Sequence, residues 1–199
     1  MACKKYRINE IFYSIQGEGR FAGTAAIFIR FAGCNLRCDF CDTKHQEYNL
    51  YTLEDIMREI ALYKAKYIVL TGGEPTLQID IDLLLALRRE HYFVQIETNG
   101  TMELSLDMHH LIDWTTISPK DAKVNIRAFN ELKVVYQNQD LDKYEEIENL
   151  SKTTEYYLQP CDLKDEQVNT DIIAKTIEYI KEHPQWKLSL QTQKILNVR

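Results

Sequence analysis

The chain has 199 residues, of which 45% are hydrophobic, enough for one folded core. No stretch approaches the roughly 18 consecutive apolar residues of a membrane span. Thirty acidic against 24 basic residues give a net charge of −6, which argues against a nucleic-acid-binding surface while leaving room for a locally positive pocket. Met1 to Arg7 is basic but carries no apolar block behind it, so no signal peptide is evident and a cytoplasmic location is expected. Thiols stay reduced there, so Cys3, Cys34, Cys38, Cys41 and Cys161 read as free or metal-bound rather than disulfide-linked.

In chain order, short β-rich runs occupy Ala25 to Phe31, Tyr67 to Thr71, Phe93 to Thr98, Trp114 to Ser118, Glu131 to Val135 and Glu155 to Gln159. Helical patterns fall between some of them. Thr52 to Lys64 opens on an N-cap threonine with Asp55 three residues on, then places Ile56, Ile60 and Tyr63 at helical spacing. Asp82 to His91 and Val168 to His183 read the same way, and the charged segment Gln137 to Asn149 reads as a solvated helix or loop. Strand–helix alternation predicts parallel βα units in an α/β fold. About six strands fit a modified, incomplete (βα) barrel, an open doubly wound sheet being the alternative. In either, ligands gather at the C-terminal ends of the strands.

The cysteines Cys34, Cys38 and Cys41 follow the first run directly, in Gly33-Cys34-Asn35-Leu36-Arg37-Cys38-Asp39-Phe40-Cys41-Asp42-Thr43. The spacing C-x3-C-x2-C would align all three on one helix face, as a buried thiol stripe does. The polar residues between them and the glycine before them fit a loop around a metal cluster better. Three thiolates leave one iron of a four-iron cluster open, whereas structural sites close every position. Zinc, with His45 as a distant fourth ligand, is the other metal reading.

Polar loops close the other runs. Thr71-Gly72-Gly73-Glu74-Pro75 lets backbone approach a ligand, and its carboxylate could take an ammonium group. Glu97-Thr98-Asn99-Gly100, Ser118-Pro119-Lys120, Glu131-Leu132-Lys133 and Gln159-Pro160-Cys161-Asp162 follow in turn. Each is unremarkable alone; together they gather polar groups at one end of one sheet. Arg30 interrupts the apolar run Ile27-Phe28-Ile29, and its guanidinium suits a carboxylate ligand, the plain alternative being a local ion pair.

Taken together these residues resemble the radical S-adenosylmethionine superfamily: the triplet with Phe40 before its last cysteine, and Gly72-Gly73-Glu74 as the methionine-binding turn. Phe12-Tyr13-Ser14-Ile15-Gln16-Gly17-Glu18-Gly19, the strand-end loops above and the closing Leu190-Gln191-Thr192-Gln193-Lys194-Ile195-Leu196 resemble, within it, the 7-carboxy-7-deazaguanine synthase family, from about Glu10 to Arg199. That resemblance implies one radical S-adenosylmethionine domain over residues 1–199, a homodimer, and conversion of 6-carboxytetrahydropterin to 7-carboxy-7-deazaguanine with loss of ammonia, on the way to queuosine and other deazapurines. It implies a 4Fe–4S cluster on Cys34, Cys38 and Cys41, and S-adenosylmethionine lined by Phe40, Asp42, Gly73, Ser118, Pro119, Lys120, Gln159, Pro160, Cys161 and Asp162. It further implies substrate contacts from Ile15, Gln16, Gly17, Arg30, Thr71 and the free carboxylate of Arg199, and magnesium on Thr43, whose hydroxyl is a hard oxygen ligand (a helix cap being its ordinary use). The radical is carried by the cofactor, so no side chain is singled out as catalytic: a 5′-deoxyadenosyl radical would take the hydrogen at C6, the ring would contract, and S-adenosylmethionine would be regenerated. A flavodoxin or ferredoxin is the expected electron donor. Gln193 departs from the family, which often has histidine there. Two other readings share some of these motifs: an activase that places a glycyl radical on a partner protein, and a zinc-binding interaction module.

Overall fold

The computed structural model describes residues 4–41, 43, 46–120, 122–145, 147 and 154–199. Nine strands form one sheet in the order β3-β1-β2-β4-β5-β6-β7-β8-β9. β2 (Ala25–Phe31), β4 (Tyr67–Gly72), β5 (Phe93–Thr98), β6 (Trp114–Ile117), β7 (Glu131–Tyr136) and β8 (Glu155–Pro160) are the six expected runs, each within a residue of its expected end, and all are parallel. β9 (Trp186–Leu188) extends the parallel run. On the other side β1 (Tyr6–Ile15) pairs antiparallel with β2, and β3 (Asn49–Tyr51) with β1. The sheet is open, since β3 and β9 do not pair.

The helices follow their local chemistry. α1 (Leu53–Ile60) starts at Thr52, whose Oγ1 accepts from the Asp55 N–H at 3.1 Å while the Asp55 carboxylate accepts from the Thr52 N–H at 3.0 Å. It stops four residues short of the expected Lys64. α2 (Ile81–Arg89) is capped by Asp80 and ended by His91 in the left-handed region at φ 59°; α5 (Glu166–Glu182) is capped by Asp165. Two short helices lie outside the sequence pattern, α3 (Leu106–Leu111) and α6 (Thr192–Ile195). The segment expected to be solvated contains α4 (Asp142–Glu145), and there the expectation fails in part: Leu141 and Tyr144 are buried in the main core. No helix of the described residues is long and apolar enough to cross a membrane.

Strand alternation divides the sheet into two faces. On β7, Leu132, Val134 and Tyr136 join the core under the helices, while Lys133 and Val135 face a cavity. On β4 and β5, Ile68, Leu70, Val94 and Ile96 lie in that same core. The opposite face is closed at its base by aromatic rings. The loop between β1 and β2 folds inward, held by Gln16 N–H to Thr24 C=O and Gly23 N–H to Gln16 C=O, both 2.8 Å. It delivers Phe21 onto Tyr67, Phe93 and Trp114 at centroid distances of 5.4, 5.4 and 5.1 Å, the last two edge-on. Phe21 thus plugs the sheet from below, and Gln16, Gly17 and Glu18 of the same loop reach the cavity above it. Phe21→Ala should lower stability by about 2–4 kcal/mol, somewhat under a fully buried Phe because this ring is only half-buried; denaturant unfolding of both proteins checks it.

Candidate active site

A cavity of about 290 Å³ opens where the parallel strands end. Its wall takes Cys34, Cys38, Phe40, Cys41 and Thr43 from the loop after β2, Thr71 to Gly73 from the end of β4, and Glu97 to Asn99 from β5. Ser118, Lys120 and Gln159 to Asp162 come from the ends of β6 and β8, and Ile15 to Glu18, Arg30 and Arg199 complete it. Every sequence-expected site residue within the described set lines this cavity except Pro119, which lines a neighbouring cleft beside Lys120 and Lys123. Asp42, and His45 of the zinc reading, lie outside the described residues.

Backbone packing fixes the cysteine loop. Glu74 N–H donates to Gly33 C=O at 2.8 Å and Gly73 N–H to Phe31 C=O at 2.9 Å. A Cβ on Gly73 would lie 2.0 Å from the Gly33 oxygen, and one on Gly72 2.2 Å from the Phe31 oxygen, with Gly72 at φ 131°. The two glycines are there so that the two loops can touch. Asn35 ties the cysteine loop to the end of β5, accepting from Asn99 Nδ2 at 2.9 Å and donating to Thr101 Oγ1 at 2.7 Å. Glu74 does not serve as an open carboxylate for an ammonium group. It is fully buried, and its oxygens accept from Thr98 Oγ1 (2.6 Å), Thr76 Oγ1 (2.6 Å), Thr76 N–H and Asn99 N–H (2.8 Å). Its work is to lock β4 to β5.

The donor set fits an iron–sulfur cluster. Cys34, Cys38 and Cys41 line one cavity wall and are not disulfide-linked, and a turn closes the loop with Cys41 N–H on Cys38 C=O at 3.1 Å. Among the described residues no three His, Cys, Asp or Glu side chains converge as ligands of a single metal ion. A cluster takes one thiolate per iron, and three cysteines on one loop lining the cavity supply three of them. Beside them Lys120 donates to Ser118 Oγ at 2.9 Å and lies 5.4 Å from the Phe40 ring centroid. Burial pushes its ammonium below the usual lysine range, against the pull of the Cys38 sulfur. Across the loop, Arg30 Nε donates to Glu10 Oε1 at 2.9 Å, so the local ion pair is present, yet Arg30 also lines the cavity and reaches Thr43 Oγ1 at 3.4 Å. Arg199 binds the other oxygen of Glu10 at 2.8 Å, and both guanidiniums lie over the Phe12 ring.

Sequence reasoning missed a buried charge network below these loops. Lys133, almost wholly buried, contacts Glu18 Oε2 at 2.6 Å and Glu97 Oε2 at 3.3 Å. Glu97 Oε1 accepts from Gln16 Nε2 at 2.9 Å. Burial works against the Glu18 carboxylate, but the Lys133 ammonium and the amides of Gln191 and Gln193 outweigh it and hold the group at about 2. Glu131, two residues before Lys133, goes the other way: burial lifts its carboxyl to about 7, opposed by Lys133 and by the Arg20 N–H and aided by Glu97. Its Oε2 accepts from Arg20 N–H at 3.1 Å and Trp114 Nε1 at 3.2 Å, and its Oε1 has no partner among the described residues. The signal available in the sequence was two charges at period two, Glu131 and Lys133, in an otherwise apolar strand. The C-terminal segment completes the wall. Thr192 N–H and Oγ1 both donate to Gly17 C=O, at 3.2 and 2.9 Å, and Lys194 donates to Asp162 at 3.0 Å.

The Radical SAM superfamily profile matches residues 28–152. The 7-carboxy-7-deazaguanine synthase of Bacteroides thetaiotaomicron is 46% identical over 194 residues, covering 97% of this chain and 98% of that one. The enzyme of the same name from Burkholderia multivorans is 40% identical over 219 residues, covering 97% and 99%. Among solved structures, the crystal structure of QueE from Escherichia coli superposes with a TM-score of 0.73 at 30% identity, covering 94% and 93%.

Two outcomes test the geometry. Gly73→Ala should push the two loops apart, costing about 1–3 kcal/mol and lowering the iron bound per chain after anaerobic reconstitution. Glu131 has a folded pKa above its ordinary value of 4.5, so its stabilising share is complete below about 4.5 and is lost as pH rises through about 7. Glu131→Gln should therefore overtake the parent above neutrality, by up to roughly 3 kcal/mol at 1.36 kcal/mol per pKa unit; denaturant midpoints measured across that range check it.

Proposed function

The chain belongs to the 7-carboxy-7-deazaguanine synthase family of the radical S-adenosylmethionine superfamily, a family of deazapurine biosynthesis, and we propose that it converts 6-carboxy-5,6,7,8-tetrahydropterin to 7-carboxy-7-deazaguanine with loss of ammonia. The activase and zinc-module readings fall with that membership. The observation that carries the specific reaction is the meeting, in one cavity, of the cysteine loop with Arg30 and the Gln16-Gly17-Glu18 turn. A site for the radical source and a polar site for a charged heterocycle then share one wall.

Cys34, Cys38 and Cys41 would hold a 4Fe–4S cluster, which with S-adenosylmethionine bound would supply the one-electron radical chemistry that hydrogen abstraction from the pterin requires. The chain's share is binding and orientation. Gly73, Ser118, Pro119, Lys120, Phe40, Asp42 and the Gln159–Asp162 turn receive S-adenosylmethionine. Arg30, steadied by Glu10 and Phe12, receives the substrate carboxylate in bidentate fashion. Ile15, Gln16, Gly17 and Thr71 flank the pterin with the terminal carboxylate of Arg199. Thr43 gives magnesium one hard oxygen, substrate and water giving the rest. The whole chain acts as one radical S-adenosylmethionine domain, in a cytoplasmic homodimer, fed by a flavodoxin or ferredoxin.

Anaerobic incubation with reductant, S-adenosylmethionine and carboxytetrahydropterin should yield the deazaguanine and ammonia. Formation of deoxyadenosine with no deazaguanine would reject this substrate. Thr43→Ala should lower turnover by about tenfold or more and flatten its response to magnesium, judged against the roughly 10–100-fold that even outer partners of metal ligands contribute; an unchanged magnesium titration would remove Thr43 from the metal site.

A further inference from the structure

Cys34 is held from both sides through its own neighbours in the chain. Gly33 C=O accepts from Glu74 N–H at 2.8 Å, which ties the residue before it to the end of β4. Asn35, the residue after it, is tied to Asn99 and Thr101 beyond the end of β5. Between these tethers the Leu36 N–H turns back and donates to the Cys34 sulfur at 3.4 Å. Asn35 Oδ1 lies 4.0 Å from the same sulfur but accepts from the Asn99 amide, so the N–H is the nearer polar group.

The side chain at position 35 has one acceptor and one donor to meet, and an amide meets both. Asn99 N–H donates to the buried Glu74 carboxylate at 2.8 Å. Asn99 Oδ1 accepts from Thr101 N–H at 3.0 Å, and a main-chain N–H can only donate. The Asn99 amide therefore turns its Nδ2 to Asn35 Oδ1, at 2.9 Å. The Thr101 hydroxyl gives its one proton to Asn99 Oδ1 at 2.7 Å, so its oxygen is left to accept, and Asn35 Nδ2 donates to it at 2.7 Å. Asn125 Nδ2 in turn holds Thr101 C=O at 2.7 Å. One main-chain N–H thus orients both amides, and the loops after β4, β5 and β6 together fix the peptide that carries the Leu36 N–H.

We infer that Asn35 is a positioning residue for the redox chemistry of the cluster: its amide, read by Asn99 and Thr101, keeps the Leu36 N–H on the sulfur of Cys34 and so raises the reduction potential of the cluster that this cysteine would help to hold. The inference rests on the cluster reading above and deepens it. Hydrogen bonds to the sulfurs are one of the means by which a protein sets such a potential. A donor draws charge from the thiolate and favours the more negative, reduced state. A less negative potential makes the first electron easier to accept, and the radical chemistry starts from that electron.

The test uses the full chain, reconstituted anaerobically with iron and sulfide, without S-adenosylmethionine or substrate. Iron per chain is measured, and the midpoint potential is read by redox titration with EPR detection of the reduced cluster. The variants are neutral, so no new charge moves the potential. Asn35→Ala and Thr101→Val should each make the midpoint more negative. At the parent's midpoint the reduced-to-oxidised ratio should fall about threefold to tenfold, a tenfold fall being about 59 mV for one electron. The double variant should shift little further than either single one, because both changes remove the same support. Thr101→Ser, which keeps the hydroxyl, should keep the parent potential. Variants that bind less iron, but whose bound clusters titrate at the parent potential, would make Asn35 a tether of the loop and overturn this inference alone. Thr101→Ser shifting as far as Thr101→Val would also overturn it, since the hydroxyl would then play no part. A parent that binds no iron–sulfur cluster would overturn the cluster reading and this inference with it.

Discussion

The Lys133 ammonium lies between the carboxylates of Glu18 and Glu97, and the inner face of the sheet is arranged around that buried charge. Lysine is rarely this buried without partners, because the desolvation it suffers must be met by charge and hydrogen bonds. Here the partners come from different elements: Glu97 from β5 and Glu18 from the β1–β2 loop. One cation thus joins the middle of the parallel sheet to a loop at its antiparallel end. It also sets the protonation of its neighbours. Glu18 stays charged beside it, while Glu131, farther down the same strand and short of donors, keeps its proton to near neutrality.

The cavity above this network has two kinds of wall. On one side, Gly72 and Gly73 press against the backbone of Phe31 and Gly33, and Asn35 is bonded to Asn99 and Thr101. That wall is built from main-chain contacts and holds the cysteine loop at the strand ends. On the other side, Gly17, Glu18, Thr192 and Gln193 are held by side-chain hydrogen bonds and by charge. The C-terminal segment there does what a further strand pair would do in a closed barrel: it links the far side of the open sheet back to the hairpin at its start, through hydrogen bonds that are not part of a ladder.

Much of this was legible in the sequence, for identifiable reasons. The six parallel strands stand out because glycine and proline punctuate their ends, and the cysteine triplet stands out by its spacing. β1 escaped because its pairing with β2 shifts register between Ile8 and Glu10, so its inward residues break the period of two. β9 has three residues and α3 six, too few to show any period. The role of Glu74 was misread because a Gly-Gly-Glu turn exposes its carboxylate on paper; only the fold reveals Thr98 and Asn99 around it. The charge network was out of reach for a plainer reason. Lys133 and Glu18 are 115 residues apart, and no local pattern pairs them.

The clasp between Thr192 and Gly17 spans 175 residues of chain. In a ribosome-bound nascent chain the hairpin emerges early and its partner segment very late. Contacts of such sequence separation are entropically expensive to form and tend to form last. The strands can therefore assemble in chain order, each on its predecessor, while the polar wall of the cavity is still missing. Assembly then has an order built into it: the cysteine loop can dock on the end of β4 before the polar wall across the cavity exists.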